Sequence, residues 1–90
     1  MRELFLKQLT LTDEKGRARE YEYSILIDEM DVGPFSCESY GLSVREQGSG
    51  AVCAVPHITT SISRIDELCE LVLAGGVTPV TLRDVVNDWL

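Results

Sequence analysis

The chain predicts a two-layer α+β domain, an antiparallel four-stranded meander followed by two C-terminal helices, in the order ββββαα over residues 1–90. Three observations carry that expectation. Apolar and polar side chains alternate with period two through most of the chain up to Val55, which suits strands with one buried face. Short breaks rich in Gly, Pro and Asp punctuate this pattern and leave only tight connections, so neighbouring strands should pair antiparallel. Beyond Thr59 the apolar spacing lengthens to that of amphipathic helices.

The first strand is expected over residues 3–12. There Phe5, Lys7, Leu9 and Leu11 alternate with Leu6, Gln8 and Thr10, although Leu4 blurs the pattern and a helix over residues 2–9 competes. Asp13-Glu14-Lys15-Gly16 reads as a tight turn. The second strand, Arg17 to Met30, is the clearest. Tyr21, Tyr23, Ile25 and Ile27 share one face, and Glu20, Glu22, Ser24 and Asp28 the other. The two tyrosines could stack on a ligand, but their continuation into Ile25 and Ile27 makes them core residues. Asp31-Val32-Gly33-Pro34 marks the next turn, and a third strand runs from Phe35 to about Glu46. Within it Tyr40, Leu42 and Val44 oppose Gly41, Ser43 and Arg45, and Gly41 signals a bulge or a close backbone approach. After the Gln47-Gly48-Ser49-Gly50 loop, a short fourth strand covers residues 51–55 and is limited by Pro56, which cannot donate to a ladder.

The first helix is expected to start near Ser61 or Ser63, with Asp66 three residues after Ser63 in a capping-box arrangement. Ile62, Ile65, Leu68, Cys69, Val72 and Leu73 fall on one face, and Gly75-Gly76 supplies the stop. Thr78-Pro79 can open the second helix as N-cap and first-turn proline, and Thr81 with Asp84 offers an alternative start. Its apolar stripe is Leu82, Val85, Val86, Trp89 and Leu90. So short a helix is marginal in water, so it must pack on the sheet.

Composition narrows the function classes. With 15 acidic and 8 basic residues the net charge is −7. Such a surface disfavours nucleic acid and anionic membranes, both of which are bound by neutralising phosphates with Lys and Arg. The N-terminal Met1-Arg2-Glu3-Leu4-Phe5-Leu6-Lys7 lacks the sustained apolar run of a signal peptide, and no segment has the length of a membrane span. Three cysteines (Cys37, Cys53 and Cys69) cannot all pair within one chain, and none belongs to a CxxC. Free thiols in a reducing cytoplasm are the expected state.

Chemistry-bearing patterns are sparse. His57, the only histidine, follows Cys53 by four residues and could serve as its base or as a second zinc ligand. A structural zinc site needs four ligands, and Cys69 sits on a helical core face, so inert thiols and a strand-end histidine are the simpler reading. Asp66 and Glu70 are helical neighbours, but nothing in the sequence places them in a pocket. Gly48-Ser49-Gly50 precedes a strand and lacks the Lys-Ser/Thr of a phosphate loop. No catalytic, metal or cofactor residue is assigned. The surface left for recognition is the acidic outer side of the helical pair, Asp66, Glu67, Glu70, Asp84 and Asp88, with Trp89 as a possible anchor beside its core role.

Tyr40-Gly41-Leu42-Ser43-Val44, Ile58-Thr59-Thr60 leading into a helix, and the run Val77-Thr78-Pro79-Val80-Thr81-Leu82-Arg83-Asp84-Val85-Val86-Asn87-Asp88 together resemble a family of short proteins of unknown function. Its members occur in clostridia and related Gram-positive bacteria, and the likeness covers about residues 20–90. Thr-Pro-x-x-Leu-x-Asp-Val-Val-x-Asp is its most specific part. The resemblance implies a cytoplasmic bacterial protein and supplies no activity, cofactor or catalytic residue. The expected function is a small non-enzymatic binding or regulatory module that contacts an unknown protein partner or a second copy of itself, through the acidic helical face or an open sheet edge. A small enzyme using Cys53 and His57 or the acidic cluster, and an acidic mimic of nucleic acid, are the alternatives.

Overall fold

The computed structural model describes residues 2–12 and 14–90, with only the backbone of Val32, so Met1 and the Asp13 position of the first turn lie outside the described residues. Four strands, β1 (Arg2–Thr12), β2 (Ala18–Val32), β3 (Phe35–Glu46) and β4 (Val52–Thr59), precede two helices, α1 (Ile62–Gly75) and α2 (Leu82–Trp89). The strands form one sheet in the order β1-β2-β3-β4, and each neighbour pair is antiparallel. This is the predicted ββββαα arrangement. At the β2–β3 turn Gly33 takes φ 63 just before Pro34. Proline cannot follow it with a second positive φ, which selects the mirror-image type II hairpin turn.

One face of the sheet is covered by both helices. Tyr21, Tyr23 and Ile25 of β2 and Leu42 and Val44 of β3 are buried there against Ile65, Leu68, Cys69 and Val72 of α1 and Leu82 and Val86 of α2. Both tyrosines are therefore core residues. Each fully buried side chain of this size contributes about 1.5–3 kcal/mol through water exclusion. The Tyr23 hydroxyl, on a residue 1% exposed, donates to the Val77 carbonyl at 2.8 Å. This satisfies a polar group in the core and ties β2 to the segment between the helices.

That segment begins with a well-formed helix stop. Gly76 has φ 58, its N–H bonds to the Leu73 carbonyl, and the Val77 N–H bonds to the Val72 carbonyl. The pair of bonds satisfies two orphan carbonyls and places buried Val77 against buried Val72. A Cβ on Gly76 would also meet Leu11 at 3.3 Å, so this glycine admits β1 to the edge of the core. At the other end of α1, Ser61 is the N-cap and accepts from the Arg64 N–H at 3.4 Å. The Ser63 start is not used.

Several local expectations are corrected. Helix α2 begins at Leu82 with Thr81 as N-cap and Asp84 in its first turn, the alternative start, rather than at Thr78-Pro79. The Thr81 hydroxyl turns back, accepting from the Thr78 N–H at 3.2 Å, and the Leu82 N–H reaches the Thr78 carbonyl at 3.1 Å. Thr78-Pro79 thus forms a separate turn. Ile62 and Leu90, placed on the apolar stripes by periodicity, are exposed because each stands at the outer end of its helix. In β1 a bulge between Phe5 and Lys7 reverses the parity: Phe5 pairs with Ser24, whereas Leu9 pairs with Tyr21. Phe5 therefore lies on the sheet face away from the helices, opposite Leu9 and Leu11.

Strand β4 does not stop at Pro56. Its register passes from Leu42↔Val55 to Tyr40↔Thr59, so β4 spends four residues where β3 spends two. The excess folds over Gly41, where an added Cβ would stand 2.3 Å from the Val55 carbonyl oxygen and 2.6 Å from the Pro56 Cα. The close approach that Gly41 signals is thus made by β4 itself. Pro56 sits in this crossing on an edge strand, where its missing N–H breaks no ladder bond.

Two outcomes follow from the core. Replacing Tyr23 with Phe leaves the packing but orphans the Val77 carbonyl, and urea denaturation should show a loss of about 1–2 kcal/mol. Burial raises the Cys69 thiol from 9.0 to about 11. In the unfolded chain that thiol ionises first, so stability should fall from about pH 9 to pH 11, by up to about 1.4 kcal/mol per pH unit for this group. Burial raises Tyr23 as well, so Cys69→Ala should flatten the alkaline slope measured by denaturation without abolishing it.

Candidate functional site

Two surface features gather polar chemistry beside apolar side chains. The first is a groove of about 400 Å³ between α1 and α2, lined by Leu71, Gly75, Val77, Val85, Asp88 and Trp89. At about 100° per residue, Leu71 and Gly75 lie on the flank of α1 that faces α2, while Asp66 and Glu70 lie on the opposite flank. The expected acidic surface is therefore divided. Asp88 borders the groove, Asp84 stands one turn earlier on the same face of α2, and Asp66 and Glu70 face away. Glu67 is paired with Arg64 at 2.9 Å. All five carboxylates are solvent-exposed.

Trp89 is half-buried and packs on the core cluster, and the Arg64 guanidinium lies 4.2 Å from the centroid of its ring. One side chain thus closes α2 onto the core and holds a cation of α1. Periodicity identifies Trp89, Asp84 and Asp88 but not Leu71, the exposed apolar residue of the groove. Leu71 falls outside the apolar arc of α1, on the flank that faces α2.

The second feature is His57. In the crossing of β4 over Gly41 it adopts φ 56, the one positive φ outside glycine among the described residues. Its Nδ1 lies 3.1 Å from the Ser39 hydroxyl and its Nε2 3.3 Å from an Asp28 carboxylate oxygen. Asp28 and Ser39 are cross-strand partners on β2 and β3, so the ring spans three strands on the face away from the helices. Aspartate, histidine and serine are the components of a hydrolytic triad, and such triads are recognised by geometry and roles rather than order. Here Ser39 is only 2% exposed, and a nucleophile must be reachable by its substrate. The arrangement acts as a clasp: it fixes the bend of β4 and holds a histidine in a strained backbone region. Sequence gave no sign of it, because Asp28, Ser39 and His57 converge only through the crossing.

The structure does not bring Cys53 and His57 together as a pair. Cys53 stands opposite Val44 and packs on the core, on the helix side, whereas both His57 ring nitrogens engage groups on the other face. Cys37, Cys53 and Cys69 are all free. Cys37 is paired with Met30 near the β2–β3 turn, and Cys69 is buried in α1. Among the described residues no three His, Cys, Asp or Glu side chains converge as metal ligands. No helix of the described residues is long and apolar enough to cross a membrane, which leaves β-barrel spans unaddressed.

Residues 2–90 match the model of the family of unknown function DUF6514, and the chain belongs to that family. The match includes β1, which the sequence resemblance left out. No curated protein and no solved structure matches the chain.

The clasp separates two costs at one residue. His57→Ala loses the ring contacts and keeps the left-handed strain, whereas His57→Gly loses the contacts and relieves it. The glycine variant should therefore be more stable than the alanine variant by about 1 kcal/mol in urea denaturation.

Proposed function

We propose that this chain is a small, non-enzymatic binding or regulatory module of the bacterial cytoplasm, which acts by docking a segment of a partner protein between α1 and α2. The observation that carries the reading is the groove itself. Leu71, Val77, Val85 and Trp89 give it an apolar lining, and Asp88 with Asp84 gives its α2 border negative charge. An amphipathic helix that sets Leu-like anchors on such a floor and Lys or Arg against the border fits both properties. Nucleic acid and anionic lipid carry the wrong sign. A mimic of nucleic acid would present carboxylates in unbroken rows, and here exposed Leu71 and Val80 interrupt them.

Thiol chemistry supports the non-enzymatic reading. The Cys69 thiol, pushed up to about 11, is a poor nucleophile at neutral pH. Cys53 packs on the core cluster. Three free cysteines suit a reducing compartment.

Trp89 is the only tryptophan, so it reports directly on the groove. Titration with an amphipathic Leu/Lys peptide at low salt should change Trp89 fluorescence saturably and shift the amide signals of Leu71, Gly75 and Val85. Replacing both Asp84 and Asp88 with Asn should weaken binding about fivefold, the scale expected for two rim charges. Absence of saturation, or shifts confined to other surfaces, would refute the docking site.

A further inference from the structure

A separate surface lies at the other end of the molecule, which is 53 Å in its longest dimension. The groove borders the region of Leu11, Arg19 and Tyr21 through Gly75. At the opposite end β2 and β3 continue past their neighbours. Among the described residues, β1 reaches only Ile27 of β2 and β4 reaches only Tyr40 of β3. Beyond the Asp28↔Ser39 pair, which His57 of β4 covers, the pairs Glu29↔Glu38, Met30↔Cys37, Asp31↔Ser36 and Val32↔Phe35 form a two-stranded arm. Four residues per strand extend it by about 13 Å.

The arm is two-faced. Strand alternation puts Phe35, Met30 and Cys37 on the side away from the helices, and Glu29, Glu38, Asp31 and Ser36 on the other. Phe35 is 75% exposed at the tip, the most exposed aromatic residue of the protein, and Met30 is exposed beside it. A two-stranded ribbon is marginal in water by itself, and Glu29 directly opposite Glu38 adds like-charge repulsion. Arg2 meets Glu38 at 3.2 Å and offsets part of it. The Gly33-Pro34 turn nonetheless holds Phe35 in a defined place, so little order is lost when it enters a pocket. The charges also select the occupant. Nucleic acid would be repelled by Glu29, Asp31 and Glu38, whereas a protein pocket that encloses the tip, with an apolar floor for Phe35 and basic rim residues for the acids, matches both faces.

We propose that the β2–β3 arm is a second docking element, whose anchor Phe35 enters an apolar pocket rimmed by Lys or Arg on a partner protein. The inference does not depend on the α1–α2 groove. If both hold, the chain is an adaptor with a recognition surface at each end.

The test places a benzophenone side chain at position 35 (Phe35→p-benzoylphenylalanine) and, as a control, at Ser36 on the opposite face, in the full chain in its native cells. Irradiation should give one discrete adduct from position 35 and at least threefold less from position 36, and the peptide captured should carry basic residues around the crosslink. Glu29→Lys with Asp31→Lys should lower the position-35 yield at least threefold. These side chains are exposed, so an unchanged urea midpoint verifies that each variant folds. Asp84→Asn with Asp88→Asn should leave the position-35 adduct intact, which separates this surface from the groove. No adduct, an adduct to a second copy of the chain, or an adduct to nucleic acid would overturn the proposal.

Discussion

The hydrogen bond from the Tyr23 hydroxyl to the Val77 carbonyl joins the two halves of the fold. β2 pairs on both sides, so it is the strand through which β1 and β3 are held in one sheet. Val77 is the first residue after the stop of α1, so it sets where α2 can begin. A phenol lying under a helix connection is an efficient device in a chain of 90 residues. It supplies a large apolar ring to the core and uses its single polar atom to satisfy a carbonyl that water cannot reach. The Gly76 stop, the Thr78 turn and the start of α2 are all arranged around that point.

What remains exposed follows from the same arrangement. Two short helices cover only part of one face, so the edge at β1, the face with Phe5 and the end of β2 and β3 stay in solvent. An antiparallel sheet tolerates one wetted face when that face is polar. Here Ser24, Ser39 and Ser43 are buried on it despite having no helix above them, because β4 folds across part of it and neighbouring strands shield the remainder. Leu26, paired with Gly41 on the same face, is buried with them.

Sequence periodicity was most informative where a strand has one dry face. Tyr21, Tyr23, Ile25, Leu42 and Val44 show their side at once, since each is separated from the next by a polar or small residue. It failed where parity is broken. In Leu4-Phe5-Leu6 three apolar residues in succession mark the β1 bulge, but such a run does not say which residue changes sides. At Pro56 the rule that proline ends a ladder overlooked that an edge strand has a side needing no donor. The role of His57 escapes pattern reading for a different reason: a left-handed backbone is expected of glycine or asparagine, and its partners Asp28 and Ser39 lie on strands distant in sequence. Of the acidic residues, charge density showed that they cluster, but only the packing of α1 against α2 decides that Asp88 borders the groove and Asp66 does not.

The crossing of β4 over Gly41 has a consequence for how chains of this kind can change in length. Its excess over β3 is two residues, an even number, so Thr59 keeps the facing it would have in an unbroken ladder. A loss or gain of two residues between Val55 and Thr59 would alter the clasp yet deliver the chain to α1 on the correct side. A change of one would have to be absorbed by a bulge, as β1 absorbs one residue between Phe5 and Lys7. Even steps in length are therefore the ones the pleat at this point accepts without a further bulge.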